Sequence, residues 1–412
     1  MMRIQRTIKK VLVESIKHRP ITLVTGARQV GKSTICYELK EELGFDYVSL
    51  DDTRDRMAAI TDPWAFIAAH KLPLIIDEVQ YAPMLLEVVE SVVNKAKLEK
   101  GENNGMFVLT GSQTYELMKG VSQSMAGRVG IVRMSPLSVS EVRGIEEKKF
   151  KVDPDYASER ARSHGLSYDE LFEFIVNGLY PGLYDGTGLS RESFYSDYVN
   201  SYLQRDVTQL INIKDQLKFQ RFLEIIASLT GCELIYDKIA KAIGAKSDTI
   251  QSWVSILSAG EIIYLLEPYN DTSIIKRVVK RPKIYFSDTG LACYLARLSD
   301  KEVLKASHFS GAFVETYMVN EIRKSYRNNG INPNLFYYRD SNQNEIDLVI
   351  LENGELSLIE CKSGASFSLK DVSSFKQLSS SSYKIGKSCI ISSSEKVYPL
   401  SEDIFVLPVS SI

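Results

Sequence analysis

The stretch from Gly26 to Ser33, which contains the glycines Gly26 and Gly31, constrains the fold of this chain more than any other feature. It follows the apolar run Ile21–Thr25 and precedes Thr34–Leu39, which can continue as a helix. A strand, a glycine loop and a helix in this order form a turn that binds phosphate, because glycines let backbone N–H groups approach the oxygens. The helix adds the positive end of its dipole. The stretch therefore predicts an α/β fold that binds a phosphorylated ligand.

Individual residues of this loop have distinct expected roles. Lys32 is placed to reach the β- and γ-phosphates of a nucleotide, and the Ser33 hydroxyl to coordinate Mg²⁺. ATP and Mg²⁺ are therefore the expected cofactors. The predicted nucleotide-binding residues are Gly26, Ala27, Arg28, Gln29, Val30, Gly31, Lys32, Ser33 and Thr34.

Four further apolar runs, at 47–52, 72–78, 106–112 and 130–134, alternate with helical stretches and predict a parallel sheet covered on both faces. Polar residues end these runs, where such sheets bind ligands. Asp77 would hold Mg²⁺ through water, and Glu78 would orient or deprotonate the attacking water. Ser112 ends the strand predicted to lie between the loop strand and the acid strand. The alternative readings are acids that cap the next helix and a serine that caps a turn.

Length and composition limit the number of domains, the classes of partner and the cellular compartment that this chain is expected to have. Its 412 residues suffice for two or three domains, and the net charge of −2 gives no overall attraction to nucleic acid. Five cysteines without a C-x-x-C pair argue against zinc and suit a reducing cytoplasm. The apolar residues of 4–17 have helical spacing, which predicts a helix there. No apolar stretch is long enough to span a membrane, so no membrane partner is expected.

The motifs GARQVGKST, LPLIIDEVQ, FVLTGSQ and AGRVG together resemble the AAA+ superfamily of P-loop ATPases, in particular its prokaryotic branch with a C-terminal DUF4143 region. The resemblance implies that Ser112 is a sensor of the γ-phosphate. It also implies that Arg128 stabilises phosphate charge, within a subunit or across the interface of a homo-oligomer. The alternative is that Arg128 only anchors a turn.

The segment after the sheet, residues 146–214, is expected to be a small helical lid. Residues 145–168 are polar and predict a mobile connection, followed by a turn-rich loop at 178–183 and a helix over 190–211. By resemblance, the loop and YLQRDV (202–207) cover the nucleotide. Arg205 is then a second candidate phosphate sensor, and an ordinary ion pair is the alternative.

Residues 215–283 resemble a winged-helix unit. An apolar helical face at 219–229 precedes helix-turn-helix spacing around Gly244 and a strand at 261–266. A basic run on the wing would contact DNA phosphates. The alternative is a solvated hairpin. The candidate DNA-binding residues are Lys276, Arg277, Lys280, Arg281 and Lys283.

The C-terminal part, residues 284–412, carries Asp347 on one strand of a hairpin and Glu360-x-Lys362 on the other. This pattern resembles the PD-(D/E)xK nuclease superfamily, although Ile346 stands where that motif has Pro. The resemblance implies that Asp347 and Glu360 hold Mg²⁺ with support from Glu315. Lys362 would activate water, with help from Gln377 on a following helix. The alternatives are a surface ion pair, or a degenerate nuclease fold kept for DNA binding or assembly.

Together these patterns predict a doubly wound P-loop domain (1–145), a helical lid (146–214), a winged helix (215–283) and an α/β nuclease-like domain (284–412). The expected function is ATP hydrolysis coupled to DNA binding or remodelling, with metal-dependent cleavage left open. The alternative is a cytoplasmic, nucleotide-controlled switch that presents its C-terminal half to a protein partner.

Overall fold

A computed structural model of the chain describes residues 4–112, 125, 127–201, 216–270 and 281–412. Within these ranges the strands form a five-stranded, a three-stranded and a seven-stranded sheet. No helix in the described ranges is both long and apolar enough to cross a membrane.

The five-stranded sheet is parallel and has the order β2-β3-β4-β1-β5. The strand that carries Ser112 lies between the loop strand and the acid strand, which confirms the order predicted from the sequence. The strands are β1 (Ile21–Gly26), β2 (Asp46–Ser49), β3 (Leu74–Asp77), β4 (Phe107–Ser112) and β5 (Val129–Met134).

Both faces of this sheet are buried, as near-continuous apolar strands predict. On one face Val24 and Val108 pack in the cluster that contains helices α1 and α2; on the other, Leu23 and Leu109 pack with α4 and α5. The helices are α1 (Lys9–His18), α2 (Lys32–Leu43), α3 (Thr53–Thr61), α4 (Pro63–Ala68) and α5 (Leu85–Lys100).

The segment after the sheet is helical, but it is not the mobile connection that was expected. Asp153 caps a helix by accepting hydrogen bonds from the N–H groups of Asp155 and Tyr156. Arg160 of that helix donates to the Ile412 carbonyl at 3.0 Å, so the helix is fastened to the end of the chain. The helices are α6 (Val139–Val142), α7 (Pro154–Ser163), α8 (Tyr168–Asn177) and α9 (Arg191–Tyr198).

Residues 216–270 and 281–286, called the central unit below, alternate helices and strands around the antiparallel sheet β6-β8-β7. Gly244 has a φ of +67° and makes the turn between two of the helices. In chain order the elements are α10 (Gln216–Ser228), β6 (Cys232–Glu233), α11 (Tyr236–Ile243), α12 (Ser247–Ala259), β7 (Ile263–Leu266) and β8 (Lys283–Phe286).

Three helices, α13 (Thr289–Leu295), α14 (Lys301–Ala306) and α15 (Ser310–Arg327), precede the C-terminal sheet. Strands β9, β10 and β11 form an antiparallel meander, and β13 and β15 continue it in parallel with β11. A 3₁₀ segment, Leu369–Leu378, lies between β11 and β12. The strands are β9 (Leu335–Arg339), β10 (Glu345–Glu352), β11 (Glu355–Cys361), β12 (Lys384–Ile385), β13 (Ser388–Ser392), β14 (Tyr398–Pro399) and β15 (Ile404–Pro408).

Helix α15 also contacts the first sheet domain. Lys324 donates from Nζ to the Leu137 carbonyl at 2.8 Å, and the Glu321 carboxylate accepts from the Val139 N–H at 2.9 Å. The C-terminal half therefore helps to hold the segment that leaves β5.

Candidate active site

A cavity of about 870 Å³ opens beside the loop that follows β1. One wall is the phosphate loop and the other is residues 168–201, called the lid segment below. The loop side contributes Arg28, Gln29, Gly31, Lys32, Ser33 and Thr34, together with Glu78, and the lid side contributes Pro181, Gly182, Asp185, Leu189, Phe194, Asp197 and Ser201.

The backbone of the loop needs glycine at its two ends. A Cβ on Gly26 would lie 2.2 Å from the Met134 carbonyl oxygen, so no side chain fits there. Gly31 has a φ of +94° and Gln29 a φ of +62°. Such left-handed residues turn successive N–H groups into a concave, anion-binding surface. The loop therefore has the shape that a nucleotide phosphate requires.

Lys32 lies at the start of α2 and is only 4% exposed. Its Nζ donates to the carbonyl oxygens of Gly26 at 3.2 Å and Ala27 at 2.9 Å. Burial lowers the pKa of Lys32, and the negative charges of Glu78 and Asp77 oppose this. The ammonium group is thus held by the loop's own backbone and is positioned to meet phosphate oxygens.

Arg6 holds this loop from outside the motif, and sequence reasoning did not single it out. Its Nη1 donates to the Val30 carbonyl and its Nη2 to the Ser135 carbonyl, both at 2.7 Å. Its Nε pairs with the buried Glu141 carboxylate at 3.1 Å. Arg6 therefore ties the loop to the segment after β5.

Asp77 is buried at the end of β3, and two hydroxyls fix its carboxylate. Tyr47 donates to Oδ2 at 2.9 Å, and Thr110 donates to Oδ1. Neither partner was predicted, although Thr110 lies in the FVLTGS strand already assigned next to β3. A fixed carboxylate and the Ser33 hydroxyl on the cavity wall are hard oxygen ligands, and they fit Mg²⁺.

Glu78 follows Asp77 in a left-handed conformation with φ of +57°, which directs the chain away from the strand. Its N–H donates to Thr110 Oγ1 at 3.0 Å, and Gln80 donates to its carboxylate. Burial raises the pKa of Glu78, while the Gln80 hydrogen bond and the Lys32 charge lower it. Because Glu78 also lines the cavity, it is placed to act on a water beside the phosphates.

The three further phosphate-sensing candidates are placed differently. Ser112 pairs in register with Gly26, so its backbone adjoins the loop. Arg128 pairs with Glu90 at 2.8 Å and is not among the described residues that line the cavity. Its role across a subunit interface stays a prediction. Arg205 lies outside the described residues.

The lid segment is joined to the C-terminal half through the buried Asp288, which caps α13. One Asp288 oxygen accepts from the Leu179 N–H at 2.7 Å, and the other accepts from the Tyr195 hydroxyl at 2.6 Å. Leu179 is two residues from Pro181 on the cavity wall. These hydrogen bonds connect that wall of the cavity to α13.

The predicted nuclease-like residues do converge. Asp347 accepts from the Cys361 N–H at 2.8 Å, and Lys362 pairs with Glu360 at 3.1 Å. Burial, the Asp347 charge and a hydrogen bond to Asp347 raise the pKa of Glu360. Gln377 is exposed; the residue of the 3₁₀ segment that reaches Glu360 is Ser374, at 3.3 Å.

Lys283 corrects one of the predicted DNA contacts. Its side chain is 2% exposed, and its Nζ lies 2.7 Å from Glu315, 2.6 Å from Glu345 and 3.9 Å from Asp347. Because Lys283 is buried and forms ion pairs with acids that are distant in sequence, it cannot contact DNA phosphates. Arg281 is exposed. Lys276, Arg277 and Lys280 lie outside the described residues.

The contacts of Lys283 do not fit the metal site that was predicted at Asp347, Glu360 and Glu315. In the described part of the chain, no group of three or more His, Cys, Asp or Glu side chains is arranged to bind a metal ion. Burial raises the pKa of Glu315 to about 7, with Lys283 acting against it. Burial alone would lower the pKa of Lys283, but the charges of Glu315, Asp347 and Glu345 raise it overall.

Comparison with protein families agrees with the geometry of the cavity. The model of a family described as AAA domain matches residues 18–143. This stretch is an AAA-type P-loop ATPase domain. Models of two domains of unknown function, DUF8612 and DUF4143, match residues 168–302 and 310–412, so the AAA domain is followed by the expected DUF4143 region. The chain is accordingly an ATPase.

Two curated relatives are similar over nearly the whole chain. Uncharacterized proteins of Mycobacterium tuberculosis and Mycobacterium bovis are each 24% identical over 405 residues, which is 97% of this chain and 82% of each relative. A match over this length extends well beyond the AAA domain at residues 18–143.

Solved structures give weaker likenesses. The Walker-type ATPase PABY2304 of Pyrococcus abyssi is 15% identical, with a TM-score of 0.36 over 70% of this chain and 94% of that one. The Thermotoga maritima RuvB Holliday junction branch migration motor is 15% identical, with a TM-score of 0.29 over 62% and 87%.

Proposed function

We propose that this chain couples the hydrolysis of Mg-ATP in the cavity beside Gly26–Ser33 to an action on DNA by its central unit. The observation that carries the proposal is the cavity wall, which is shared by the phosphate loop and the lid segment. Bound nucleotide would contact both walls. The state of the γ-phosphate can therefore change the position of the lid.

The residues of the loop side divide the chemistry among them. Lys32 would neutralise charge on the β- and γ-phosphates. Ser33 and Asp77 would hold Mg²⁺, which would screen the same charge. Glu78 orients the attacking water and accepts its proton. Tyr47 and Thr110 keep the Asp77 carboxylate in place.

The order of elements in the central unit supports a winged-helix assignment. A helix and a strand precede two helices that turn at Gly244, and two strands complete the sheet β6-β8-β7. Three lysines on or next to these two helices, Lys238, Lys241 and Lys246, are exposed. Such cations are what a contact with DNA phosphates needs.

The hydrolytic half of the proposal is tested by phosphate release from the full chain. Lys32→Ala should lower turnover about a thousandfold, because its charge acts on the transition state. Lys17→Ala is the control, since Lys17 lies on α1 and its side chain is 64% exposed. Unchanged turnover in Lys32→Ala would refute the assignment of the loop.

The DNA half is tested by fluorescence anisotropy with duplex, branched and single-stranded DNA at two salt concentrations. Substituting alanine for Lys238, Lys241 and Lys246 together should lower the slope of log affinity against log salt by up to about three. The matched control replaces Lys17, Lys95 and Lys384, whose side chains are 64%, 75% and 76% exposed.

The absence of salt-sensitive binding to all three forms of DNA would contradict the DNA proposal. It would favour the alternative, a nucleotide-controlled switch that contacts a protein partner through the same unit. The ATPase assignment does not depend on this result.

A nuclease-like fold for the C-terminal domain is supported by its order of elements. Helix α15, the meander β9–β11, the 3₁₀ segment and the parallel strand β13 follow one another as they do in that fold. Because Lys283 lies 2.7 Å from Glu315 and 3.9 Å from Asp347, two of the three carboxylates that would hold the metal, the cluster does not fit metal-dependent cleavage.

A further inference from the structure

The carboxylate cluster at the base of α15 already contains a cation. Lys283 Nζ lies within 2.7 Å of Glu315 and 2.6 Å of Glu345, and 3.9 Å from Asp347. The Tyr285 hydroxyl donates to the same Glu315 oxygen at 2.6 Å. Buried carboxylates need such partners, since an unpaired buried charge is strongly unfavourable.

A divalent cation in the same cluster would compete with this ammonium group. Two of the three acids predicted to coordinate it, Glu315 and Asp347, lie 2.7 and 3.9 Å from Lys283 Nζ. Two cations a few ångströms apart repel each other. Lys283 is 2% exposed and lies within a four-residue strand of the sheet β6-β8-β7, so it cannot swing into solvent without disturbing that sheet.

The cluster also lies where the central unit meets the C-terminal domain. Tyr337 accepts from the Tyr269 N–H at 2.6 Å, and its own N–H donates to the Glu267 carbonyl at 3.1 Å. Arg339 adds ion pairs to Glu233 at 3.5 Å and to Glu345 at 3.2 Å. Lys283 is therefore part of a joint between two regions of the chain.

We propose that Lys283 is a built-in cation that takes the place of a divalent metal in this cluster and fastens the C-terminal domain to the central unit. The domain then binds no metal at these acids and acts as a structural joint. This inference concerns a different site from nucleotide hydrolysis, and the failure of one leaves the other untouched.

The test replaces the cation and asks whether a metal can return. It uses the full chain without nucleotide and with Asp77→Asn, so that the phosphate loop contributes no metal site. Adding Lys283→Met should lower the melting temperature. Millimolar MgCl₂ or MnCl₂ should then raise it by about 4 °C, because ions that bind the folded state stabilise it. The parent chain should show no such rise.

Lys362→Met is the matched control. It removes the same charge from the other lysine of the cluster, whose side chain is 41% exposed and contacts only Glu360 among the ion pairs of the described residues. Metal should not stabilise this variant. Adding Asp347→Asn to Lys283→Met should abolish the rise, which would locate the bound ion.

Two results would overturn the proposal. One is a folded Lys283→Met variant that no divalent ion stabilises. The other is Mn²⁺ bound by the Asp77→Asn parent at sub-millimolar concentration, seen by electron paramagnetic resonance and removed by Asp347→Asn. If Lys283→Met does not fold, the Mn²⁺ measurement on the Asp77→Asn parent decides alone. The absence of bound Mn²⁺ would then support the proposal.

Discussion

The chain brings a buried lysine close to carboxylates in two places, and the position of the lysine nitrogen differs between them. Beside the phosphate loop, Lys32 donates to backbone carbonyls, and Glu78 faces a cavity of about 870 Å³. In the C-terminal cluster, the nitrogen of Lys283 contacts Glu315 and Glu345 directly. The first arrangement leaves its charges available to a ligand, and the second neutralises them within the chain.

This difference shows why motif and geometry carry different information. Both clusters include acids and a lysine at spacings that resemble known catalytic sites, and in the second cluster that lysine is Lys362, not Lys283. A ligand can enter only where the chain has not already satisfied these charges, because desolvated groups that are paired internally have little to gain from a new partner. The predictions below test this distinction, beginning with the largest effect.

Glu78→Gln should lower ATP turnover by about 10²- to 10⁴-fold while nucleotide still binds, because the substitution removes the base and retains the shape. Turnover is measured by phosphate release and binding by a fluorescent nucleotide. Glu87→Gln, an exposed acid on α5, is the control. Equal turnover in the two variants would mean that Glu78 is as inert as the acids of the second cluster.

Tyr47→Phe should raise the Mg²⁺ concentration needed for half-maximal turnover about tenfold, since a hydrogen bond to a charged group contributes roughly 1.5–3 kcal/mol. The lost bond is the 2.9 Å contact to Asp77. A magnesium titration of the ATPase rate measures this, with Tyr168→Phe as control. An unchanged requirement would show that Asp77 needs no support from Tyr47.

Turnover should fall on acidification at a pH above the range of an ordinary glutamate, because burial raises the pKa of Glu78 and only its ionised form is a base. Below that pKa the rate drops about tenfold per pH unit. Gln80→Leu removes a hydrogen bond that lowers the pKa, so the acid limb should move to higher pH. A shift to lower pH would contradict this assignment.

Glu345→Gln should leave ATP turnover within about twofold and lower the melting temperature, because distant sites act independently and Glu345 pairs with Lys283 and Arg339. Thermal unfolding and phosphate release on one preparation test both statements. A large loss of turnover with normal stability would mean that the two clusters are linked. It would contradict the claim that they act independently.

The sequence was sufficient to predict structure and site residues where the motif is contiguous in the chain. The strand, loop and helix around Lys32 are contiguous, and the β4 position of Ser112 followed from the same pattern. Sequence was insufficient where partners are distant: the burial of Lys283 depends on Glu315 and Glu345, which no local pattern connects to it. Helix α7 was missed because it is polar, although Asp153-Pro154 is a recognisable start signal.

Arg6 has a consequence for the independence of the AAA domain. The family match covers residues 18–143, yet the Val30 carbonyl of the loop is held by Arg6 and the Leu137 carbonyl by Lys324. Both donors lie outside those bounds. The AAA domain is thus held from both sides in sequence, since Arg6 fixes the loop and Lys324 fixes the segment after β5. Residues 18–143 could be transferred into another protein with their structure intact only if that protein supplied hydrogen-bond donors equivalent to Arg6 and Lys324.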